Sequence, residues 1–523
     1  MKMILAAASM ILLFLPRAGA QTQPAIPSVL HIVNRIEFAG NTLISSAELA
    51  KVVGIKEGGL VGTRRIEEAV GAIEQAYRER GYLAVVSDNF LQTFQETGTL
   101  RFPITEVRVA EVRIEGLHRT REPVIRRMLE LRPGDLYSVS ALRRDADRLN
   151  TLGILESIDA SVEEAAQLGR VIVVWKLAER EKTGYVSLGG SYSPRDRLIG
   201  TVTLTESNLR GRAEHLQVSA SIGSIKGRPS FEVFYLNPWV AKQTSLGLRA
   251  FTAVRYRFSD HLVTIPGTDW YFERRSGGQI TAGRTLSPFR QLSVSTRYED
   301  VKVENLPLQF LTPTIASADG KVAAVSGESI VDRRDSLSYP TSGYLSRTTL
   351  EPAHASLTDG GSNWFAKGSG EFRRFFPLQR MGAETEEVRA GRRPRVLAAR
   401  FVGATSTGRL PFFEQYFLGG TVGLRGYTEE RFWGKHMVLG IVEYRIPIGR
   451  SLTTHLFTDA GDAWGSRFQF APSAPTIFHQ HKSFSPRLGA GFGLRYTTDL
   501  GSLGLDFAWG EGFHIHLTFG PAF

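Results

Sequence analysis

Along its first third the chain keeps changing hydrophobic period. From Ile32 to Phe38 apolar and polar residues alternate as on a half-buried strand, and the run ends at the turn pair Gly40-Asn41. Ser45 or Ser46 is placed to cap a short helix running through Val53, and Thr63 to cap a second. In the second, Ile66, Val70, Ile73 and Tyr77 share one helical stripe, and Gly81 suits the left-handed position that ends it. Two short strands should follow, near Tyr82–Val86 and Thr99–Ile104.

The unit then recurs. Ile36-Glu37-Phe38-Ala39-Gly40 returns 76 residues later as Val112-Arg113-Ile114-Glu115-Gly116, and Gly58-Gly59-Leu60 returns at the same offset of 76 as Gly134-Asp135-Leu136. Arg80-Gly81-Tyr82-Leu83 is echoed by Leu152-Gly153-Ile154-Leu155, and the apolar run Val171–Leu177 closes the second unit. Equal offsets favour two tandem β-α-α-β-β modules over a single α+β domain. We place them at 31–106 and 107–182.

Beyond Thr183 the helical period fades. Residues 184–523, 340 in all, are glycine-punctuated alternation: Leu198, Gly200, Val202 and Leu204 on one face, then Leu216 to Ile222, Val438 to Ile448, Leu488 to Tyr496 and Leu503 to Trp509. The opposite faces carry charge at Glu443, Arg445, Arg495 and Asp506. One apolar and one polar face suit a strand with lipid outside and water inside; a soluble sandwich would show the same alternation but has less use for the charges. At about 20 residues per strand and connection, this length predicts roughly 16 strands. The expected fold is a transmembrane antiparallel β-barrel over 183–523, preceded by the two modules.

The beginning of the chain supports export. MKMILAAASMILLFLPRAGA has Lys2, an apolar run from Met3 to Leu15 and Ala18-Gly19-Ala20, the pattern of a secretory signal peptide over residues 1–20. The apolar run is shorter than the roughly 20 residues needed to cross a bilayer as a helix. No other stretch is as apolar, so a membrane-bound mature chain has to cross with strands closed into a barrel. The net charge of +11 and hydrophobic fraction of 42% exclude a disordered chain. The absence of cysteine excludes a disulfide scaffold, a Cys-ligated zinc site and a thiol nucleophile.

Catalytic chemistry is not legible. There is no nucleophile elbow, P-loop or His-Glu-x-x-His, and Gly489-x-Gly491-x-Gly493 lacks dinucleotide-loop spacing. His514 and His516, or His479 and His481, are pairs without a third ligand, so no metal or other cofactor is expected. The basic run Arg389–Arg395 reads as a solvated turn between strands rather than a nucleic-acid patch.

Four late motifs carry more. Phe417–Gly434 (FLGGTVGLRGYTEERFWG) is too glycine-rich for a helix and holds Leu424-Arg425-Gly426-Tyr427 after Gly419-Gly420. Phe457-Thr458-Asp459-Ala460-Gly461 and Gly491-Phe492-Gly493-Leu494-Arg495-Tyr496 follow. The chain ends on alternating Phe513, Ile515, Leu517 and Phe519, then Gly520, Pro521, Ala522 and Phe523. In this order the motifs resemble the outer-membrane assembly and secretion superfamily that includes BamA, TamA and the two-partner secretion transporters. That resemblance covers nearly the whole mature chain. It implies POTRA modules in the periplasm, a 16-stranded barrel in the bacterial outer membrane, and a loop whose motif arginine meets acids on the inner wall.

The matching acids here are Asp459 and Glu443. Strand parity agrees: with Val442 and Tyr444 facing lipid, Glu443 faces in, and Asp459 shares a face with His455 and Phe457. The terminal Phe513–Phe523 segment matches the family's C-terminal β-signal.

The function implied is non-enzymatic: insertion of client outer-membrane polypeptides, taken up as strands on POTRA sheet edges and at a lateral seam between the first and last barrel strands. Membrane lipids and periplasmic accessory proteins would be further partners; nucleic acid would not. The seam should join Phe513–Phe519 to Tyr185–Ser191, and Gly189-Gly190 and Pro521 would leave it poorly paired. A two-partner secretion transporter also has two modules, but usually a plug helix and linker, for which Gln21–Leu30 is too short. Arg119-Thr120-Arg121 and Leu149–Gly153 read more like the assembly branch, although TamA has three modules and BamA commonly five. A passive porin-like channel is the alternative from another class.

Overall fold

The computed structural model describes residues 30–87, 91–193, 197–223, 228–257, 272–304, 319–337, 339–358, 361–378, 393–421, 423–448, 451–468, 472, 483–498 and 501–519. The expected signal peptide, His479, His481, Arg389 to Gly391 and the terminal residues Gly520, Pro521 and Phe523 lie outside these. Two compact units emerge: one built by the chain up to Thr183 together with 207–213, the other by 184–206 and 214 onward.

In the first unit, the first module runs β1 (His31–Ile32), β2 (Arg35–Ala39), α1 (Ser46–Val53), β3 (Leu60–Val61), α2 (Thr63–Glu79), β4 (Ala84–Val86), α3 (Leu91–Thr97) and β5 (Thr99–Glu106). The second runs β6 (Arg108–Glu115), α4 (Glu122–Arg126), α5 (Val139–Thr151), β7 (Leu155–Glu164) and β8 (Arg170–Glu179). Both sheets have the same order, with the first strand parallel to the last and the last antiparallel to the middle one: β2-β5-β4 and β6-β8-β7.

The stripe on α2 buries Ile66, Ile73 and Tyr77 in one core, and Trp175 and Leu149 sit in the other. Ser45 is the cap of α1, its hydroxyl accepting from the Glu48 N–H. The second expected cap is corrected: Gly62 is the extended cap residue of α2, and Thr63 is its first helical residue. The alternating run at Ile32–Phe38 is also two strands, because Val33 spends its backbone on the loop ahead of β3. Its N–H donates to Gly59 O at 2.9 Å, and its C=O accepts from Gly58 N at 2.7 Å. Helix α3, with Phe94 buried, was not legible from seven residues carrying so few apolar positions.

The repeat reaches individual atoms. Val109 copies Val33, exchanging bonds with Asp135 and Gly134 at 2.9 and 2.8 Å. Gly40 (φ 89°) and Gly116 (φ 87°) each press on the last strand so closely that a Cβ would stand 2.1 Å from the carbonyl oxygen of Ile104 or Leu177. At the end of each last strand a glutamate gathers the turn after the first. Glu106 accepts from the N–H of Thr42 and Leu43 (2.6 and 2.7 Å) and from Tyr77 Oη at 2.9 Å. Glu179 accepts from the N–H of His118, Arg119 and Thr120 at 3.1, 2.8 and 2.6 Å. The modules also bond to each other, Val139 N–H donating to Gly81 O at 3.0 Å.

The second unit is a 16-stranded antiparallel sheet. Its first eleven strands are β9 (Gly184–Ser193), β10 (Arg197–Leu209), β11 (Glu214–Gly223), β12 (Pro229–Ala241), β13 (Thr244–Tyr256), β14 (Phe272–Ser287), β15 (Arg290–Glu304), β16 (Gly320–Asp332), β17 (Gly343–Leu357), β18 (Ser362–Pro377) and β19 (Val396–Gly408). A small hairpin follows, β20 (Tyr416–Leu418) with β21 (Phe432–Gly434). The sheet resumes with β22 (His436–Pro447), β23 (Leu452–Trp464), β24 (Arg487–Thr498), β25 (Gly501–Trp509) and β26 (Phe513–Phe519). No helix among the described residues is long and apolar enough to cross a membrane.

The two faces differ as lipid and lumen would demand. Val442 is 49% exposed on the outside while Glu443 is 1% exposed inside. Glu273, Arg275, Glu299, Asp459 and Asp506 are likewise buried on the inner face.

Consecutive strands pair throughout, and β19 pairs β22 across the hairpin insertion. The expected pairing of Phe513–Phe519 with Tyr185–Ser191 is corrected. Strands β9 and β26 end the strand order and approach within 8 Å between Cα atoms, yet among the described residues no ladder joins them.

Two expectations follow for the modules. Gly40→Ala and Gly116→Ala combine positive φ with a backbone clash, so each should destabilise its module by about 2 kcal/mol or more. Gly71→Ala, in the open interior of α2, should stabilise by up to about 1 kcal/mol. Hydrogen exchange of the β5 and β8 amides in the full chain measures both.

The second concerns acid. Burial pushes the Glu106 and Glu179 carboxyls up, but the N–H and hydroxyl donors around each outweigh it and hold both below the usual range. A depressed carboxyl adds stability above its unfolded pKa of about 4.3, and that stability is lost as pH falls through the folded value. The modules should therefore weaken steeply below about pH 4. The double variant Glu106→Gln, Glu179→Gln should be less stable at neutral pH, with a flatter acid limb in Trp175 fluorescence.

Candidate functional site

Between β19 and β22 the chain turns into the barrel. Residues 409–435 carry a one-turn 3-10 segment, Phe412–Glu414, then the β20–β21 hairpin with the glycine-rich motif at its tip. The base is aromatic: Phe412 packs edge-on against Trp433, Phe417 and Phe468 with centroids 5.1, 6.1 and 5.6 Å apart. Leu424 is fully buried and packs with Leu418, Tyr427, Phe432 and Ile441. Tyr427 also donates its hydroxyl to Leu488 O at 3.1 Å.

Arg425 reaches three wall strands. Asp459 on β23 takes it in a bidentate grip, Nε to Oδ2 and Nη2 to Oδ1, both 2.8 Å, and accepts the Arg425 backbone N–H at 3.1 Å. Nη1 donates to Glu443 Oε1 on β22 at 2.9 Å and to Asp506 Oδ2 on β25 at 3.0 Å. The guanidinium carbon lies 3.5 Å from the centroid of the Phe457 ring. All four ionic groups are buried, and Arg445 balances the excess of carboxylate by donating to Glu443 at 2.9 Å. A lysine has neither the planar fork nor enough donors for this cage.

Close approach explains the small residues. Gly426 takes φ 87°, where a Cβ would meet the Trp509 carbonyl at 2.6 Å; on the wall, a Cβ at Gly489 would stand 1.9 Å from Arg425 O. Gly419 and Gly420, at φ 129° and 80°, turn the chain into the tip. The tip also holds the last hairpin: Gly426 N–H donates to His516 Nε2 on β26 at 3.3 Å, Glu511 N–H donates to Gly426 O at 2.9 Å, and Arg431 pairs with Glu511 at 2.8 Å.

A second anchor, of opposite polarity, was not foreseen. Glu414 in the loop accepts from Lys367 on β18 at 2.9 Å, Arg275 on β14 at 3.1 Å and Arg297 on β15 at 3.4 Å. Nearby, Glu430 pairs with Arg257, whose guanidinium carbon also lies 4.0 Å from the Phe417 ring centroid. Counted around the wall, β14 and β23 are seven strands apart in sixteen, close to opposite.

The structure thus brings Arg425 together with Asp459 and Glu443, and adds Asp506 and His516. Asp506 was legible as a lumen charge between Leu505 and Phe507, but nothing in its parity names its partner. Glu414, a lone acid among aromatics, sent no periodic signal. The C-terminal residues Phe513, Ile515 and Leu517 lie 54%, 55% and 42% exposed on the outer face of β26, and Phe519 ends that strand.

Comparison with known proteins now decides the family. The Omp85 superfamily domain matches residues 208–522, and the POTRA model, described as a surface antigen variable number repeat, matches 31–106 and 107–180. The chain belongs to the Omp85 superfamily. As an Omp85 protein it resides in the outer membrane, with its POTRA modules in the periplasm.

Among curated Omp85 relatives, it is 27% identical to outer envelope protein 80, chloroplastic, of Arabidopsis thaliana over 87% of this chain and 62% of that protein. It is 23% identical to the outer membrane protein assembly factor BamA of Neisseria meningitidis over 91% and 64%. The chain spans less than two thirds of the length of these relatives. Among solved Omp85 structures, BamA from Haemophilus ducreyi lacking POTRA domains 1–3 has the same fold, at TM-score 0.65, 19% identity and coverage of 94% of this chain and 99% of that one. CdiB from Escherichia coli follows at TM-score 0.56, 16% identity and coverage of 97% and 91%.

Removing Arg425 leaves three buried carboxylates without their common cation, a loss of about 3–5 kcal/mol in the loop's attachment. Arg425→Ala should therefore speed hydrogen exchange at the Gly426 and Glu511 amides by orders of magnitude, while the amides of β13 to β18 keep their protection. Asp506→Asn, which removes one of five contacts, should do so more weakly than Asp459→Asn.

Proposed function

We propose that this protein inserts client polypeptides into the outer membrane, in the manner of an assembly factor of the BamA and TamA type. Clients would add strands first to the POTRA sheet edges and then to the barrel seam. The observation that carries the reading is the seam. Strands β9 and β26 are the one pair of neighbours without a ladder among the described residues. Strand β9 has Gly189-Gly190 in its interior, which lowers its hold on any partner. Its side chains from Tyr185 to Leu188 are exposed.

An edge of this kind displays free N–H and C=O groups in lipid, where they have no water to bond and so favour any strand that can pair with them. A client strand is such a partner, and pairing needs no cofactor or covalent step. The lumen loop would set the state of the seam. Its tip holds β23, β25 and β26, the C-terminal side of the opening, and its Glu414 anchor holds the far wall. In this reading Arg425, Asp459 and Glu443 are positioning residues, and Phe513 to Phe519 form the pairing edge.

The chain has no cysteine, so one cysteine in Tyr185–Ser191 and one in Phe513–Phe519 would form a single defined lock. The oxidised, locked protein should lose insertion of a radiolabelled barrel client into proteoliposomes, and reduction should restore it. Insertion at the unlocked rate would reject lateral opening. Passage of a soluble polypeptide through the locked barrel would assign secretion instead, and ion conductance with no client effect would assign a channel.

Glu414→Gln leaves the tip cage intact and frees the opposite anchor. It should alter the insertion rate several-fold without loss of the folded barrel, as judged by its resistance to unfolding in cold SDS. An unchanged rate would remove Glu414 from the mechanism.

A further inference from the structure

Many of the barrel's arginines are paired with carboxylates; several at the periplasmic end have no such partner among the described residues, Arg374 and Arg333 among them. Arg373 donates to Glu371 and Arg400 to the same carboxylate, each at 2.8 Å, and Arg334 pairs with Asp332 at 2.7 Å. Arg374 and Arg333 rest on aromatic rings instead. The Arg374 guanidinium carbon lies 5.1 Å from the Phe376 centroid and 5.9 Å from that of Tyr344, and the Arg333 carbon 5.3 Å from that of Phe289.

Arg374 also faces the unusual way. On β18 it shares parity with Phe372 and Phe376, 46% and 43% exposed on the lipid side, whereas Arg373 and the buried Phe375 point inward. Its register partners are Tyr344 on β17 and Ala399 on β19, so it sits within a few residues of the strand ends. The β16–β17 turn is on the side where β9 begins after the POTRA modules, which is the periplasmic side. A lipid-facing arginine is costly at mid-bilayer and nearly free at the interface, where its counter-charge has to come from a headgroup.

Beside it is a groove of about 660 Å³ lined by Val331, Tyr344, Ser346, Phe372, Arg374 and Phe376. Arg333 lies two residues beyond Val331, its N–H bonded to Tyr344 O at 2.8 Å. The apolar floor suits an acyl chain, and Arg374 at one end, with Arg333 on the adjoining turn flanking Tyr344 from the other side, suits a phosphate. We propose that this groove is a binding site for one anionic phospholipid of the periplasmic leaflet. Its phosphate would lie between Arg374 and Arg333, and one chain would run along Phe372 and Val331. The rings hold the guanidinium groups at headgroup level while leaving their N–H edges free to donate. The site lies on β16 to β18, on the wall away from the seam, and does not depend on the assembly reading.

The full chain in neutral detergent, titrated with phosphatidylglycerol or phosphatidylcholine and read by native mass spectrometry, tests this. The wild type should retain one phosphatidylglycerol with about tenfold or greater preference over phosphatidylcholine. Arg374→Gln combined with Arg333→Gln should reduce that preference to near unity, and excess inorganic phosphate should not displace the lipid. Arg334→Gln, a neighbouring charge already paired, should leave the preference in place. Phe376→Ala should weaken retention without changing charge, a second reading should the double variant fail to fold. Equal retention of the two lipids by the wild type, an unchanged preference in the double variant, or equal loss in Arg334→Gln would overturn the site. Displacement by inorganic phosphate would make it a free-anion site and overturn the lipid assignment.

Discussion

A peptide group facing hydrocarbon has nothing to bond but another peptide group, and the rest of the barrel unit depends on that constraint. It forces the strands to pair in sequence, so that each is satisfied by the one before and the one after. It also makes the junction of β9 and β26 chemically distinct, because there the described residues form no ladder. An unpaired edge in water is a mild liability; in lipid it is a strong driving force for acquiring a strand. The strands on either side of the junction are β9, with Gly189-Gly190 in its interior, and the seven-residue β26.

The lumen loop answers a second constraint. Ordering residues 409–435 costs roughly 1–2 kcal/mol of backbone entropy per residue, and a glycine-rich tip sits at the expensive end of that range. Aromatic packing at the base and Leu424 at the tip offset part of it, and buried charge fixes the two ends. Arg425 meets three wall carboxylates on one side, and Glu414 meets three wall cations on the other. The two ends of the loop thus dock with opposite polarity, a cation among carboxylates at one and a carboxylate among cations at the other. The loop is thereby a brace across the barrel, with its tip on the strands nearest the seam. Buried ion clusters of this kind add little net stability against an apolar core, but breaking one is expensive, which suits a contact that has to be either made or released.

In the first unit the same economy appears as duplication. Each module needs a tight crossing from its first strand into the helices, and both solve it with a glycine at positive φ against the last strand and a glutamate gathering the N–H groups of the turn. The inserted helix α3 and the differing helix lengths leave that device untouched. The frame is common to the modules; the edges and helices around it are what distinguish them.

How much of this was legible depends on the range of the interaction. Period and turn chemistry are local, so the two-module order, the strand-rich C-terminal half and the inward face of Glu443 could be read directly. Motif order and resemblance, beyond local pattern, pointed from Arg425 to Asp459. Local reading failed where a residue's backbone was claimed from afar, as when Val33 bonds to the Gly58-Gly59 loop and splits an alternating run in two. It failed too where parity places a charge in the lumen without saying what crosses the lumen to meet it. Asp506 joining the Arg425 cage, Glu414 reaching the opposite wall and the missing ladder at the seam were decided only by closure of the barrel. Closure sets which strands become neighbours or opposites, and a one-dimensional pattern of apolar and polar positions carries no record of that.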